Sequence, residues 1–179
     1  MKNSKNPKQG FTICIIGDPQ SGKSSIFRRL ISEPMEEYNI FSTMKPKSKF
    51  DFGNFDFNNA IITLYDISFD NPVKSFCGHA DGIFFVVDVT KEINMSAIRK
   101  IKTGIEKDLG NVPCIILANK YDDNGIDLGL NKYKLSNLCL SFTDVLYVSA
   151  KNNTGIQEAM KKMHHSIITR GDCSVCQIL

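Results

Sequence analysis

The chain has no apolar run of about 18 residues, the length that a membrane-spanning helix needs. Its start also lacks the apolar core and cleavage site of a secretory signal peptide. Internal repeats and low-complexity segments are likewise missing. The sequence therefore predicts an intracellular protein, and its 179 residues suit one α/β domain rather than two.

A large excess of positive or negative charge is missing as well. The net charge of +3 is small and spread along the chain, apart from a few lysines near the start. A solvated basic arm accounts for those lysines, so nucleic acid is not expected as a partner. We assign residues 1–9 to this N-terminal arm, residues 10–169 to the folded domain and residues 170–179 to a short tail.

The six cysteines do not form the pattern of a zinc site. Cys173 and Cys176 have C-x-x-C spacing, but the sequence offers neither a second Cys or His pair for zinc nor the strand–helix context of a redox motif. The other four lie among or beside apolar residues and are interpreted as packing thiols. They are Cys14, Cys77, Cys114 and Cys139.

A phosphate-binding motif stands near the start of the domain. Residues 17–24 fit the pattern G-x-x-x-x-G-K-[ST] and follow the apolar run Phe11–Ile16, which is typical of a buried strand. Such a loop turns backbone N–H groups towards phosphate oxygens, at the positive end of the helix that follows. The motif therefore predicts a nucleotide-binding loop. Its candidate phosphate-binding residues are Gly17, Gln20, Ser21, Gly22, Lys23, Ser24 and Ser25.

Two side chains of this loop predict a magnesium-dependent site. Lys23 is expected to place its ammonium group between the outer phosphates. The Ser24 hydroxyl is expected to be one ligand of a Mg²⁺ ion that keeps several waters and bridges those phosphates. Pro19, inside the loop, has a fixed φ and no backbone N–H, so the loop has one fewer possible hydrogen-bond donor to phosphate.

Short apolar runs alternate with helix-length segments along the domain. This alternation predicts an α/β fold in which helices cover both faces of a mostly parallel sheet, with ligands bound at the carboxyl ends of the strands. The predicted strands are Phe11–Ile16, Ile61–Asp66, Gly82–Val89, Cys114–Asn119 and Val145–Ser149. The predicted helices are Lys23–Ser32, Ile93–Leu109, Leu130–Leu140 and Gly155–Ile168.

A phenylalanine-rich segment, Phe50–Phe57, precedes the second of these strands. The pair Gly53-Asn54 predicts a short hairpin with phenylalanines stacked across it, and a turn at Asn58-Asn59 is the alternative. Aspartates lie between the phenylalanines and would repel phosphate. We therefore interpret the segment as half-buried edge structure rather than as a nucleic-acid surface.

Two further motifs stand at predicted strand ends. Asn119-Lys120-Tyr121-Asp122 follows one strand, and Ser149-Ala150-Lys151 follows the next. Together with residues 17–24, and in this order, they resemble the Ras superfamily of small GTPases. The apolar segment 80–90 is most similar to the Rab branch, and the resemblance covers about residues 11–168.

The resemblance implies the six-stranded P-loop three-layer sandwich of a small GTPase G domain, with GTP or GDP and Mg²⁺ as ligands. Asp122 would accept hydrogen bonds from the N1–H and N2–H₂ edge of guanine, which adenine does not offer. Asn119 and the N–H of Ala150 would contact the remaining edge of the base, and the stems of two lysines would cover its faces. The implied base-binding residues are Asn119, Lys120, Asp122, Ser149, Ala150 and Lys151.

The second switch of the family is altered in this chain. Asp66 fits the aspartate that contacts Mg²⁺ through water, but Phe69 stands where the family has a glycine. Asp70 stands where the family has the glutamine that orients the attacking water, and a one-residue shift that brings in Asn71 is the alternative. A carboxylate cannot donate a hydrogen bond to the developing phosphoryl charge, so GTP hydrolysis is predicted to be slow. The candidate catalytic residues are Lys23 and Asp70.

The first switch has two candidate metal ligands, Thr43 and Ser42. We choose Thr43, because it lies 23 residues before Asp66, a spacing that is similar to that of Rab proteins. Residues 44–47 depart from the Rab pattern, so the usual effector surface of that branch is not expected there.

The last four residues, Cys176-Gln177-Ile178-Leu179, fit the prenylation motif C-a-a-X, and the leucine favours a geranylgeranyl group. Stable anchoring usually takes a second signal, for which Cys173 is the candidate. We therefore expect the protein at the cytoplasmic face of a membrane, with a cytosolic pool.

The sequence thus predicts a membrane-anchored, Rab-like small GTPase that switches partner binding, in vesicle trafficking. Its expected partners are guanine nucleotide, an exchange factor, an activating protein and effectors. A nucleotide-binding interaction protein that no longer cycles is the alternative. An ATP-dependent enzyme is disfavoured by Asp122 and by the run 149–151.

Overall fold

The computed structural model describes residues 8–32, 50–67, 78–122 and 129–175. Its strands are β1 (Gln9–Gly17), β2 (Phe50–Phe57), β3 (Ala60–Ile67), β4 (Gly82–Asp88), β5 (Cys114–Asn119) and β6 (Asp144–Tyr147). Its helices are α1 (Lys23–Ile31), α2 (Met95–Leu109), α3 (Gly129–Leu138) and α4 (Ile156–Val175). Each predicted strand and helix is found, with its ends within about two residues of the prediction except at the end of α4.

The strands form one sheet in the order β2-β3-β1-β4-β5-β6. Neighbouring strands run parallel, except that β2 and β3 are antiparallel. Every residue of β4 and β5 is buried, because both faces of the sheet are covered and its central strands are apolar. The carboxyl ends of β1, β3, β4 and β5 meet at one edge of the sheet, where the predicted motifs lie.

Two clusters of buried side chains lie on opposite faces of the sheet. On one face α1 and α4 contribute Ile26, Leu30, Met160 and Met163. On the other face α2 and α3 contribute Ile98, Ile105, Leu135 and Leu138. This arrangement confirms the predicted three-layer α/β fold.

The segment Phe50–Phe57 is one unbroken strand that pairs with β3 along its whole length. The hairpin turn predicted at Gly53-Asn54 is therefore wrong, and the alternative turn at Asn58-Asn59 is confirmed. Both asparagines have positive φ, 47° and 64°, which is the backbone of a tight two-residue hairpin turn.

Glycine at position 53 reflects packing rather than a turn. A Cβ atom on Gly53 would lie 3.1 Å from the side chain of Ile31, at the end of α1, so glycine allows the helix to approach β2 closely. The predicted stacking of phenylalanines across a hairpin is also wrong. Phe52 instead stacks on Tyr65 of β3, with ring centroids 6.0 Å apart.

Helix α2 begins two residues after its predicted start at Ile93 and ends at the predicted Leu109. The Asn94 side chain caps it by accepting a hydrogen bond from a backbone N–H of the first turn (3.1 Å), and Gly110, with φ 71°, follows its last residue.

Helix α4 continues to Val175, so its predicted end at Ile168 is wrong. Gly171 lies inside α4, where a glycine lowers helix stability by roughly 0.5–1 kcal/mol without ending the helix. None of the helices in the described ranges is long and apolar enough to cross a membrane.

The cysteine interpretation is partly wrong. Cys14 and Cys114 are buried as predicted, and burial raises the pKa of the Cys114 thiol to about 11, which keeps it protonated. Cys139 is exposed, because it follows the last turn of α3 rather than lying in the core. Cys77 lies outside the described residues.

Candidate functional site

The loop between β1 and α1 has a backbone that requires glycine at two positions. Gly17 has φ +144°, and a Cβ atom on it would overlap the carbonyl oxygen of Val86 on β4. Gly22, the N-cap of α1, has φ +94°, and a Cβ atom there would overlap the side-chain amide of Asn119. The loop is thus packed against both β4 and the end of β5.

Gly17→Ala is expected to destabilise the nucleotide-free protein by about 2–4 kcal/mol, because it combines a strained φ with a clash against backbone. The matched control is Gly10→Ala, in the same strand, where a Cβ atom meets nothing within 4 Å. That control should change the free energy of unfolding by less than about 0.5 kcal/mol. Denaturant unfolding of both variants measures the difference, and equal midpoints would contradict the geometry.

Lys23, the first residue of α1, is only 9% exposed and turns back over the loop. Its Nζ donates hydrogen bonds to the carbonyl oxygens of Gly17 (2.9 Å) and Asp18 (2.8 Å). Burial lowers the pKa of Lys23, while the charges of Asp66 and Asp18 oppose that shift. A buried ammonium group is costly unless an anion neutralises it, so this position favours an anionic ligand beside the loop.

Ser24 and Asp66 form an oxygen pair next to this lysine. The Ser24 hydroxyl donates a hydrogen bond to Oδ2 of Asp66, at the end of β3. Burial raises the pKa of Asp66, against the effects of the Ser24 hydrogen bond and the Lys23 charge. A hydroxyl and a carboxylate are the hard oxygen donors that Mg²⁺ prefers, so the two residues fit the predicted metal site. Thr43 and its alternative Ser42 lie outside the described residues.

Asn119 connects the phosphate loop to the loop after β6. Its Nδ2 donates to the carbonyl oxygen of Ser21 (2.8 Å), and its Oδ1 accepts from the N–H of Ala150 (3.0 Å). The side chain is 1% exposed, so both contacts are shielded from water. The N–H of Ala150 is predicted to contact the base, and here it already donates to Asn119.

Asp122 is held by the same loop. The Ser149 hydroxyl donates to Oδ1 of Asp122 and accepts a hydrogen bond from the N–H of Asn152 (3.0 Å). Ser149 is fully buried, whereas Asp122 is half-buried. The hydroxyl therefore fixes one carboxylate oxygen of Asp122 through a short chain of hydrogen bonds.

Lys120 contacts a residue that the sequence motifs do not include. Its Nζ donates to Oδ2 of Asp88 at 2.6 Å, and its backbone has φ +65°. Burial alone would raise the pKa of Asp88, but hydrogen bonds from Lys120 and Thr90 outweigh burial and lower it. The pairing of Asp88 with Asn119 in neighbouring strands is the signal that places this carboxylate at the site.

Arg29 is the second site residue that sequence reasoning missed. It lies in α1 and donates to backbone oxygens of Ala150 and Lys151, which are more than a hundred residues away in the chain. No local pattern in the sequence marks such a contact. The side chain of Lys151 is exposed, as a residue that covers a ligand face would be.

Most of the remaining predicted residues lie outside the described part of the chain. Phe69, Asp70 and its alternative Asn71 lie outside the described residues, as does Cys176. Cys173 lies within α4, but its side chain is also outside them. Gln20 has φ +63° in the phosphate loop, and Ser25 follows in α1.

A cavity of about 550 Å³ lies elsewhere, between α2 and the segment that joins α3 to β6. Lys102, Glu106 and Phe142 are among its lining residues. None of the predicted site residues lines it. The chemistry of the loops, rather than this cavity, therefore defines the candidate site.

Comparison with known proteins agrees with the motifs. A family model described as the ADP-ribosylation factor family matches residues 1–167. GTPase Der of Mycoplasma capricolum is 30% identical over 176 residues, which cover 89% of this chain and 37% of that protein. The Ras-related protein RabZ of Dictyostelium discoideum is 26% identical over 169 residues, covering 88% of this chain and 71% of that protein.

The tRNA modification GTPase MnmE of Aquifex aeolicus is also similar, with 26% identity over 174 residues. This match covers 90% of the chain and 36% of that protein. The chain thus spans little more than a third of the length of the Der and MnmE relatives, and most of the length of RabZ.

Proposed function

The chain belongs to the ADP-ribosylation factor family of small GTPases, and on this premise we propose that it binds GTP and GDP and changes its partner binding with the nucleotide. The observation that carries the proposal is the double contact of Asn119. A nucleotide has phosphates at one end and a base at the other, and Asn119 joins a loop suited to each.

Within this proposal the residues have distinct roles. Lys23 exchanges its carbonyl partners for the outer phosphate oxygens, and the backbone N–H groups after Gly17 surround the inner ones. Ser24 would be a direct ligand of Mg²⁺ and Asp66 would hold the ion through water, and the ion would neutralise phosphate charge. Asp122, positioned by Ser149, accepts the N–H groups of the guanine edge.

The direct test is to identify the nucleotide that copurifies with the protein, by chromatography after denaturation. Titration of nucleotide-free protein with GDP and ADP then gives the base preference. We expect GDP or GTP in the purified protein and a strong preference for GDP over ADP. Copurified adenine nucleotide, or equal affinities, would contradict the proposal.

Hydrolysis is proposed to be slow, because Asp70 replaces the glutamine that orients the attacking water in the family. Asp70→Gln is expected to raise the single-turnover rate of GTP hydrolysis with Mg²⁺ by at least about tenfold, since it restores a hydrogen-bond donor. The control is Asp108→Gln, an exposed residue of α2, which should leave the rate unchanged.

Two results would argue against slow hydrolysis governed by position 70. One is an ordinary small-GTPase rate in the unmodified protein, and the other is no response to Asp70→Gln. Tight GTP binding with no turnover in either protein would favour the non-cycling interaction protein, for which Phe69 and Asp70 are the supporting residues.

We also propose a Rab-like cellular role and a lipid anchor. The Ser42-Thr43 pair and the similarity to RabZ support a Rab-like role in vesicle trafficking, whereas the matched family model is that of the ADP-ribosylation factor family and not of Rab proteins. The C-a-a-X pattern supports a prenyl anchor at Cys176 for a protein whose mature end is Leu179. Mass spectrometry of the C-terminal peptide from native cells tests the anchor, and an unmodified Cys176 would contradict it.

A further inference from the structure

Arg29 makes two hydrogen bonds to consecutive carbonyl groups of the loop after β6. Its Nε donates to the oxygen of Ala150 at 3.0 Å, and its Nη2 donates to the oxygen of Lys151 at 2.9 Å. The side chain is half-buried. A planar guanidinium group matches two neighbouring acceptors better than an ammonium group does, because its donors have a fixed geometry.

Arg29 lies at the opposite end of α1 from the phosphate-binding residues. Lys23 and Ser24 begin the helix, and Arg29 lies in its last turn. A rise of 1.5 Å per residue separates Lys23 from Arg29 by about 9 Å along the axis. One short helix therefore contacts the predicted phosphate site at one end and the predicted base-binding loop at the other.

The other described hydrogen bonds of this loop come from different directions. The N–H of Ala150 donates to Asn119, at the end of β5, and Ser149 pairs with Thr154 within the loop itself. Arg29 ties the loop to α1. Ser149 in turn holds Asp122, so a displacement of the loop is transmitted to the carboxylate that would read the base.

We propose that Arg29 is a positioning residue that sets the selectivity for guanine, by fixing the loop 149–151 relative to α1. The inference rests on the proposed guanine-nucleotide binding. Arg29 is expected to affect recognition of the base and not recognition of the phosphates. It should contact neither the base nor the phosphates.

The test compares two preferences in the full chain. Preference for GDP over inosine diphosphate, which lacks the 2-amino group, reports recognition of the base. Preference for GDP over GMP reports recognition of the phosphates. Arg29→Met keeps the apolar stem and removes both donors, and it is expected to lower the first preference about tenfold, as for the loss of charge-assisted hydrogen bonds. The second preference should remain unchanged.

Two further variants sharpen the result. Arg29→Lys keeps the charge but not the planar pair of N–H donors, so its base preference should lie between those of the unmodified protein and Arg29→Met. Arg99→Met removes the same charge from an exposed position on α2 and should alter neither preference. Thermal unfolding without nucleotide shows whether each variant is folded.

The outcomes separate this inference from the proposed function. If Arg29→Met lowers both preferences equally, or lowers only the melting temperature, Arg29 is merely structural and the inference is overturned. An unchanged preference for GDP over inosine diphosphate overturns it as well. If the unmodified protein itself binds GDP and ADP equally, the proposed function fails instead.

Discussion

Asp122→Asn is expected to weaken GDP binding by roughly 10²–10⁴-fold, the equivalent of two hydrogen bonds to a charged acceptor. Guanine presents two adjacent donors, N1–H and N2–H₂. An asparagine side chain offers one acceptor and one donor, so its NH₂ group would face the donor of the base. The fold should be retained, because the asparagine oxygen can still accept the Ser149 hydroxyl.

The same substitution is expected to improve binding of xanthosine diphosphate. Xanthine carries a carbonyl oxygen where guanine carries the amino group, so the asparagine NH₂ finds an acceptor. Competition with a fluorescent guanine nucleotide measures both affinities. Asp108→Asn, on the exposed face of α2, is the control and should not change them. An equal loss of affinity for GDP and for xanthosine diphosphate would show that Asp122 supports the loop rather than contacts the base.

Lys23→Met is expected to weaken binding of GDP and GTP by about 10²-fold or more, because charge-assisted contacts to the outer phosphates are lost. The melting temperature of the nucleotide-free protein should change little, because the two hydrogen bonds from Nζ to carbonyl oxygens are lost together with a buried charge. Burial lowers the pKa of Lys23 below its ordinary value of 10.5, so the unfolded chain holds the proton more tightly than the folded chain. Charged Lys23 therefore opposes folding, and that penalty develops as the pH falls from about 10.5.

The matched control for this prediction is another buried lysine. Lys102 is 6% exposed and pairs with Glu106 on α2 at 2.7 Å, away from the strand ends. Lys102→Met should leave nucleotide affinity unchanged. Calorimetric titration and thermal unfolding of both variants separate binding from stability. A Lys23→Met protein that melts lower and still binds GDP tightly would contradict the assigned role.

The sequence predicted the sheet well, because its strands are buried on both faces and appear as uninterrupted apolar runs. The β2 turn was misplaced for a physical reason. Gly53-Asn54 and Asn58-Asn59 both suit a tight turn, and they are distinguished by the pairing of β2 with β3 and by the packing of Gly53 against Ile31, neither of which is a local property of the sequence.

The motifs predicted which residues gather at the site, since parallel strands bring their carboxyl ends to one edge. They did not predict the contacts between those residues. Asp88 pairs with Lys120 across two strands, and Arg29 reaches a loop far along the chain. Such contacts depend on the distance between elements after folding, which no local spacing encodes. The roles of Thr43 and Asp70 stay predictions.

The double contact of Asn119 also has a thermodynamic consequence. A ligand that orders the phosphate loop lowers the entropy cost of ordering the base loop, because the same buried amide holds both. The two halves of a nucleotide should therefore bind cooperatively, with GDP bound more tightly than separate affinities for guanosine and diphosphate would suggest.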